Sequence, residues 1–143
     1  MSVVVVGVDN SEASRRAVEF AARRARQLGF TVCLVHVIPW SPFSFNTPGE
    51  NERRSVAKSE EMAAAHEQIV DPLAKLVEQE GVAVESVVRH GDPVDLIIEL
   101  ATSKEARQVV VGRTGDSRVR QAVFGSIPGH LVQSAPLPVT VVP

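Results

Sequence analysis

Short apolar runs alternate with longer amphipathic stretches along the whole chain. Val3 to Val8, Thr31 to Ile38, Val84 to Arg89, Gln108 to Gly112 and Val139 to Val142 are rich in β-branched residues and bounded by turn formers, so they predict five strands. Asn10-Ser11-Glu12 supplies a cap for a helix over Ala13 to Leu28, in which Ala13, Ala17, Phe20, Ala21 and Leu28 recur at helical spacing; Gly29 stops it. A loop from Pro39 to about Asn51 leads into a helical pattern from Arg53 to Glu80, which Pro72 restarts or kinks and Gly81 closes. Asp92-Pro93 opens a helix through about Ser103, and a last helical segment covers Ile127 to Ser134 with Pro128 in its first turn.

Strands alternating with helices require right-handed crossovers and a parallel sheet. The expected fold is therefore doubly wound α/β: a five-stranded parallel sheet with helices on both faces, as one domain over residues 1–143. Such sheets bind ligands beyond the carboxyl ends of strands where the winding reverses. If the spatial order is 3-2-1-4-5, the first and fourth strands are neighbours at that reversal, and Asp9 faces Gly112 across one crevice.

Composition removes several classes of function. A net charge of −2, with 15 basic and 17 acidic residues, argues against a nucleic-acid footprint. No apolar stretch of about eighteen residues is present to span a bilayer. The chain enters a strand at once, without the pattern of a secretory signal, which leads to a cytoplasmic expectation. Cys33, alone among 143 residues, sits in an apolar strand and reads as an inert core residue. His36, His66, His90 and His130 are scattered without metal-ligand spacing, so no metal site is expected from the protein's own side chains.

The most specific stretch follows the fourth strand. Gly112-Arg113-Thr114-Gly115, nine residues, then Gly125-Ser126 directly succeed Val109-Val110-Val111. Gly112 and Gly115 can take positive φ and let a ligand approach the main chain, while Gly125 and Ser126 open a helix whose unpaired N–H groups favour a phosphate. Glycines that merely punctuate a strand, a loop and a helix give the same spacing. Asp9 likewise reads as a site carboxylate or as a cap for the first helix, roles that can coexist. Arg113, Arg118 and Arg120 lie in or beside the loop, where they screen a triphosphate or sit as solvated surface; both remain open. Arg15, Arg16, Arg23, Arg24 and Arg26 interleave with the apolar stripe of the first helix and form an exposed face.

These residues together resemble the universal stress protein family, of the type that binds adenine nucleotides. The resemblance runs the whole length: Val6-Gly7-Val8-Asp9-Asn10-Ser11, His36-Val37, Gly91-Asp92-Pro93, the glycine spacing at 112 to 126, and Ala135-Pro136-Leu137-Pro138-Val139. It implies an adenine nucleotide alpha hydrolase-like fold and ATP as ligand, with AMP, ADP or cAMP as other forms. Asp9 and Val37 would contact the adenine and ribose end, Gly112 and Gly115 would approach ribose and phosphate, and Gly125, Ser126 and Ile127 would hold phosphates; Val8 and Thr140 would line the crevice. Asn10 stands where the family commonly has glycine, and Val111 where it has methionine. A two-fold homodimer through the uncharged edge strand Val139 to Val142 is implied as well.

No Gly-x-x-x-x-Gly-Lys-Ser/Thr pattern exists, and Lys58, Lys75 and Lys104 lie outside any glycine loop, so a P-loop ATPase is excluded. A flavodoxin-like site would place its phosphate loop after the first strand, where this chain has acidic Asp9-Asn10-Ser11-Glu12. The expectation is a nucleotide-binding stress-response regulator or sensor with no assigned catalytic residue. The alternatives are a slow ATP hydrolase or self-phosphorylating protein, using Asp9 or Asp116 for water and Ser126 or Thr114 as acceptor, a cAMP-binding protein, and a nucleotide-empty interaction module. Any Mg²⁺ would be held through the phosphates. Trp40, Phe43 and Phe45 in the loop after the second strand cover the nucleotide or a partner, or pack on the domain itself.

Overall fold

The structure is a computed structural model that describes residues 2–39, 48–113 and 127–143, with main chain alone over 48–52. The elements run β1 (Val3–Gly7), α1 (Glu12–Leu28), β2 (Thr31–Ile38), α2 (Pro48–Ala65), a π-helical segment (His66–Val70), α3 (Asp71–Gln79), β3 (Val84–His90), α4 (Pro93–Ser103), β4 (Gln108–Gly112), α5 (Ile127–Ser134) and β5 (Val139–Val142). All strand pairs are parallel, in the order β3-β2-β1-β4-β5. The chain winds outward through β2 and β3, returns, and continues through β4 and β5, so the winding reverses between β1 and β4.

Each central strand buries both faces, which is why it reads as an unbroken apolar run. Val4, Val6 and Val8 pack under α1, the π-helical segment and α3; Val5, Cys33, Val35, Val109 and Val111 pack under α4 and α5. Burial pushes the Cys33 thiol up to about 11, consistent with a core residue.

Helix ends follow local chemistry. Ser11 caps α1 by accepting the Ser14 N–H (3.1 Å), and Gly29 closes it in the left-handed region at φ 72°. Asp92 caps α4 by accepting from Asp95 N–H (3.0 Å), with Pro93 in the first turn.

Two expectations are corrected. Leu28 is exposed; the stripe that packs is Ala13, Ala17, Val18, Ala21, Ala22 and Ala25, whose small side chains bring α1 close to the sheet. The helix before β3 begins at Pro48, within the stretch expected to be loop, because a proline's missing donor costs little in a first turn. Pro72 restarts the helix as expected, in the first turn of α3, and the irregularity falls on its amino-terminal side. The proline has no N–H to offer the preceding turn, and there the ladder slips to the wider π spacing, with Asp71 N–H donating to the His66 carbonyl.

Among the described residues no helix is long and apolar enough to cross a membrane. The arginines of α1 are exposed as expected, with Arg15 paired to Glu19 and Arg26 to Glu80, both at 3.1 Å.

Candidate functional site

The β1–β4 seam positions the site. Gly7 is level with both Val35 of β2 and Val111 of β4, and Val8 N–H donates to the Val35 carbonyl at 2.8 Å. Register carried one step on sets Gly112 beside Val8. Arg113 follows β4 with its N–H on the Val142 carbonyl (2.7 Å), which ties it to the end of β5. His36 braces the main chain just past β1: its Nδ1 is 2.8 Å from the Val8 carbonyl, which can only accept, so Nδ1 carries the proton in this bond.

Asp9 is half-buried at the point where β1 turns into α1. Its Oδ1 accepts from Ser11 N–H (3.0 Å) and from the Ser14 hydroxyl (2.8 Å), and its own N–H donates back to Ser14 Oγ (2.8 Å). The first of these is an Asx turn, which aspartate favours because its short side chain reaches the main chain two residues on. Asp9 therefore organises the approach to α1, while the Ser11 hydroxyl supplies the helix cap.

Gly112 does something other than expected. It is not among the glycines with positive φ, and it remains in the strand. A Cβ there would lie 2.7 Å from both the carbonyl carbon and the Cβ of Ala13, and 2.8 Å from its oxygen. Its missing side chain thus admits the first turn of α1.

The other expected positions divide. Val37 is buried on the α4 side and Ile127 begins α5 on that same side, partly buried. Val8 buries its side chain on the opposite face, in the core beneath α1, so only its main chain belongs to the seam. Thr140 is level with Val110, and its hydroxyl donates to Gln108 Oε1 at 2.7 Å, towards the amino-terminal end of β4. Gly115, Gly125 and Ser126 lie outside the described residues, as do Trp40, Phe43, Phe45, Thr114, Asp116, Arg118 and Arg120. Among the described residues no group of three or more His, Cys, Asp or Glu could hold a metal ion.

Beside Asp9, a hollow of about 140 Å³ lies between the β1–α1 turn, with Ser11 and Arg15, and Gln68, Ile69 and Pro72. That is well below the roughly 300–1,000 Å³ of sites that enclose drug-sized ligands.

One residue with a role here escaped the reading of the sequence. Ser14 was not singled out, although a serine five residues after Asp9 and in line with Val18, Ala21 and Ala25 places a hydroxyl on the buried side of the helix.

The model of the universal stress protein family matches residues 1–143. A universal stress protein of Methanocaldococcus jannaschii is 27% identical over 139 residues, which cover 97% of this chain and 80% of that protein. One from Mycobacterium tuberculosis is 30% identical over 153 aligned positions, covering 98% of this chain and 47% of the relative, so the chain spans about half the length of such curated relatives. Among solved structures, UspA from Lactobacillus plantarum aligns at TM-score 0.81 and 23% identity, covering 99% of this chain and 97% of that one. The universal stress protein from Archaeoglobus fulgidus in complex with dAMP aligns at TM-score 0.69 and 23% identity, covering 100% and 98%. A universal stress protein in complex with cAMP aligns at 0.72 and 21%, covering 99% and 97%.

Proposed function

The chain belongs to the universal stress protein family, and from that premise we propose that it binds an adenine nucleotide at the carboxyl ends of β1 and β4. The observation that carries this is Asp9, held by Ser11 and Ser14 at the point where the winding reverses. The dAMP and cAMP complexes of two proteins of the same fold support adenine as the base.

Asp9 and Val37 take the adenine and ribose end in this proposal. Arg113, leaving the seam beside β5, faces the phosphates, with Gly115, Gly125, Ser126 and Ile127 as main-chain and hydroxyl donors. Gly112 acts by letting α1 approach. ATP is the proposed form, and Mg²⁺ enters on its phosphates, with no protein ligand assigned. Occupancy biases conformation or partner choice in a stress response, without turnover. A homodimer through the edge strand β5 is the proposed assembly, which sedimentation at micromolar concentration tests.

The cAMP complex favours one competing form, the cyclic monophosphate. Native mass spectrometry of freshly purified protein, followed by competition between ATP and cAMP, tests the proposal. Bound adenine nucleotide with ATP preferred supports it; tighter cAMP binding replaces ATP by cAMP; no affinity for either refutes nucleotide binding. Single-turnover phosphate release, abolished by Asp9→Ala with binding retained, would turn the sensor into a slow hydrolase.

A further inference from the structure

Ser14 is 4% exposed, and no other polar residue is assigned to the buried set among the described residues. Its position in α1 does not account for its hydroxyl. The cap is made by Ser11, which takes the Ser14 N–H, whereas both hydrogen bonds of Ser14 Oγ go to Asp9. One of them satisfies the Asp9 main-chain N–H, which any buried turn requires. The other holds the Asp9 carboxylate, which water would solvate without help at a half-buried loop. Fixing that side chain costs rotamer entropy in the unbound protein and returns it only when a ligand meets a carboxylate already in place.

We propose that Ser14 is a positioning residue of the nucleotide site, setting the Asp9 carboxylate for its contact with the adenine or ribose end. This role rests on the nucleotide binding proposed above. The two bonds converging on Oδ1, from Ser11 N–H and from Ser14 Oγ, leave the carboxylate little rotation. The same hydroxyl ties the main chain of Asp9 to the first turn of α1, so carboxylate and helix move as one unit.

A double-mutant cycle tests it, with ATP affinity measured by calorimetry on the full chain carrying Ser14→Ala, Asp9→Ala, or both. Ser14→Ala weakens binding about three- to tenfold, the range for ordering one side chain, and adds no further loss once Asp9 is alanine. Gly29→Ala, at the far end of α1, strains the left-handed φ of 72°, lowers the melting temperature, and leaves the affinity unchanged, which separates positioning from helix stability. Should Ser14→Ala fail to fold, Ser14→Cys, close in shape and a weak donor, gives a smaller loss that is again absent in the Asp9→Ala background. Equal loss in both backgrounds, or no loss in the first, overturns the role of Ser14 while nucleotide binding stands. If the unsubstituted chain binds no ATP, nucleotide binding falls and the role of Ser14 falls with it.

Discussion

Replacing Gly112 by alanine puts a methyl group where α1 already is. Three atoms of Ala13 would sit 2.7–2.8 Å from the new carbon, about 1 Å inside normal carbon contact, and two of them are main chain. Main-chain atoms cannot swing aside, so the first turn of α1 must shift by most of that deficit or β4 must bend. Overpacking of this kind costs about 1–3 kcal/mol. With a urea m value of about 2 kcal/mol per molar, the unfolding midpoint falls by roughly 0.5–1.5 M. The same shift moves Ser11 and Ser14, and Asp9 with them, so under the proposed function nucleotide affinity drops as well in a variant that still folds. Ala13→Gly removes one of the three offending atoms and leaves the other two, hence the double variant recovers part of the loss beyond additivity. A Gly112→Ala protein with an unchanged midpoint would refute the close approach of β4 and α1. Gly29→Ala serves as the contrast: nothing lies within 4 Å of the added carbon, and the cost of about 1–2 kcal/mol comes from the left-handed φ of 72° alone.

Cys33 is 1% exposed with its thiol pushed up to about 11 by burial, so it resists thiol reagents at pH 8 in the folded state and reacts once urea unfolds the chain. Its folded pKa lies above the unfolded value of 9.0; the unfolded chain therefore loses this proton first, and stability declines as pH rises from 9 towards 11. Cys33→Ala flattens that part of the pH profile in denaturation measurements, and an unaltered slope counts against it. His36→Phe removes the bond to the Val8 carbonyl and lowers stability by about 1 kcal/mol, read as a fall of a few degrees in melting temperature.

The strands were legible because valine-rich runs buried on both faces leave no polar alternation to confuse them; Gln108–Gly112 and Val139–Val142 match the expected spans, and β1 ends at Gly7, one residue short. The order followed from crossover handedness. Helix boundaries were less legible where a residue had two readings. Leu28 suits an apolar stripe, yet α1 ends there and its side chain is exposed, three residues past the buried Ala25. Pro72 announced a break but not its place, since a proline disturbs the turn before it. In the β1–α1 turn, Asp9 could be picked out from its position after the first strand. Gly112 was noticed for a different reason from the one its neighbours impose, because periodicity cannot show which helix passes over a strand. Ser14 was hidden by its type: serine in a first helical turn reads as ordinary, and only three-dimensional contact shows that its hydroxyl is spent on a residue outside the helix.

The reversal of winding also sets the sequence of assembly. Val5 pairs with Cys33 on one side and with Val109 on the other, so closing the second pair costs about 1 kcal/mol more in chain entropy than the first. On a ribosome the first three strands emerge and can pair while β4 is still unsynthesised. The seam between β1 and β4 joins the early part of the molecule to the late part. A ligand seated across that seam would recognise only chains that have finished folding.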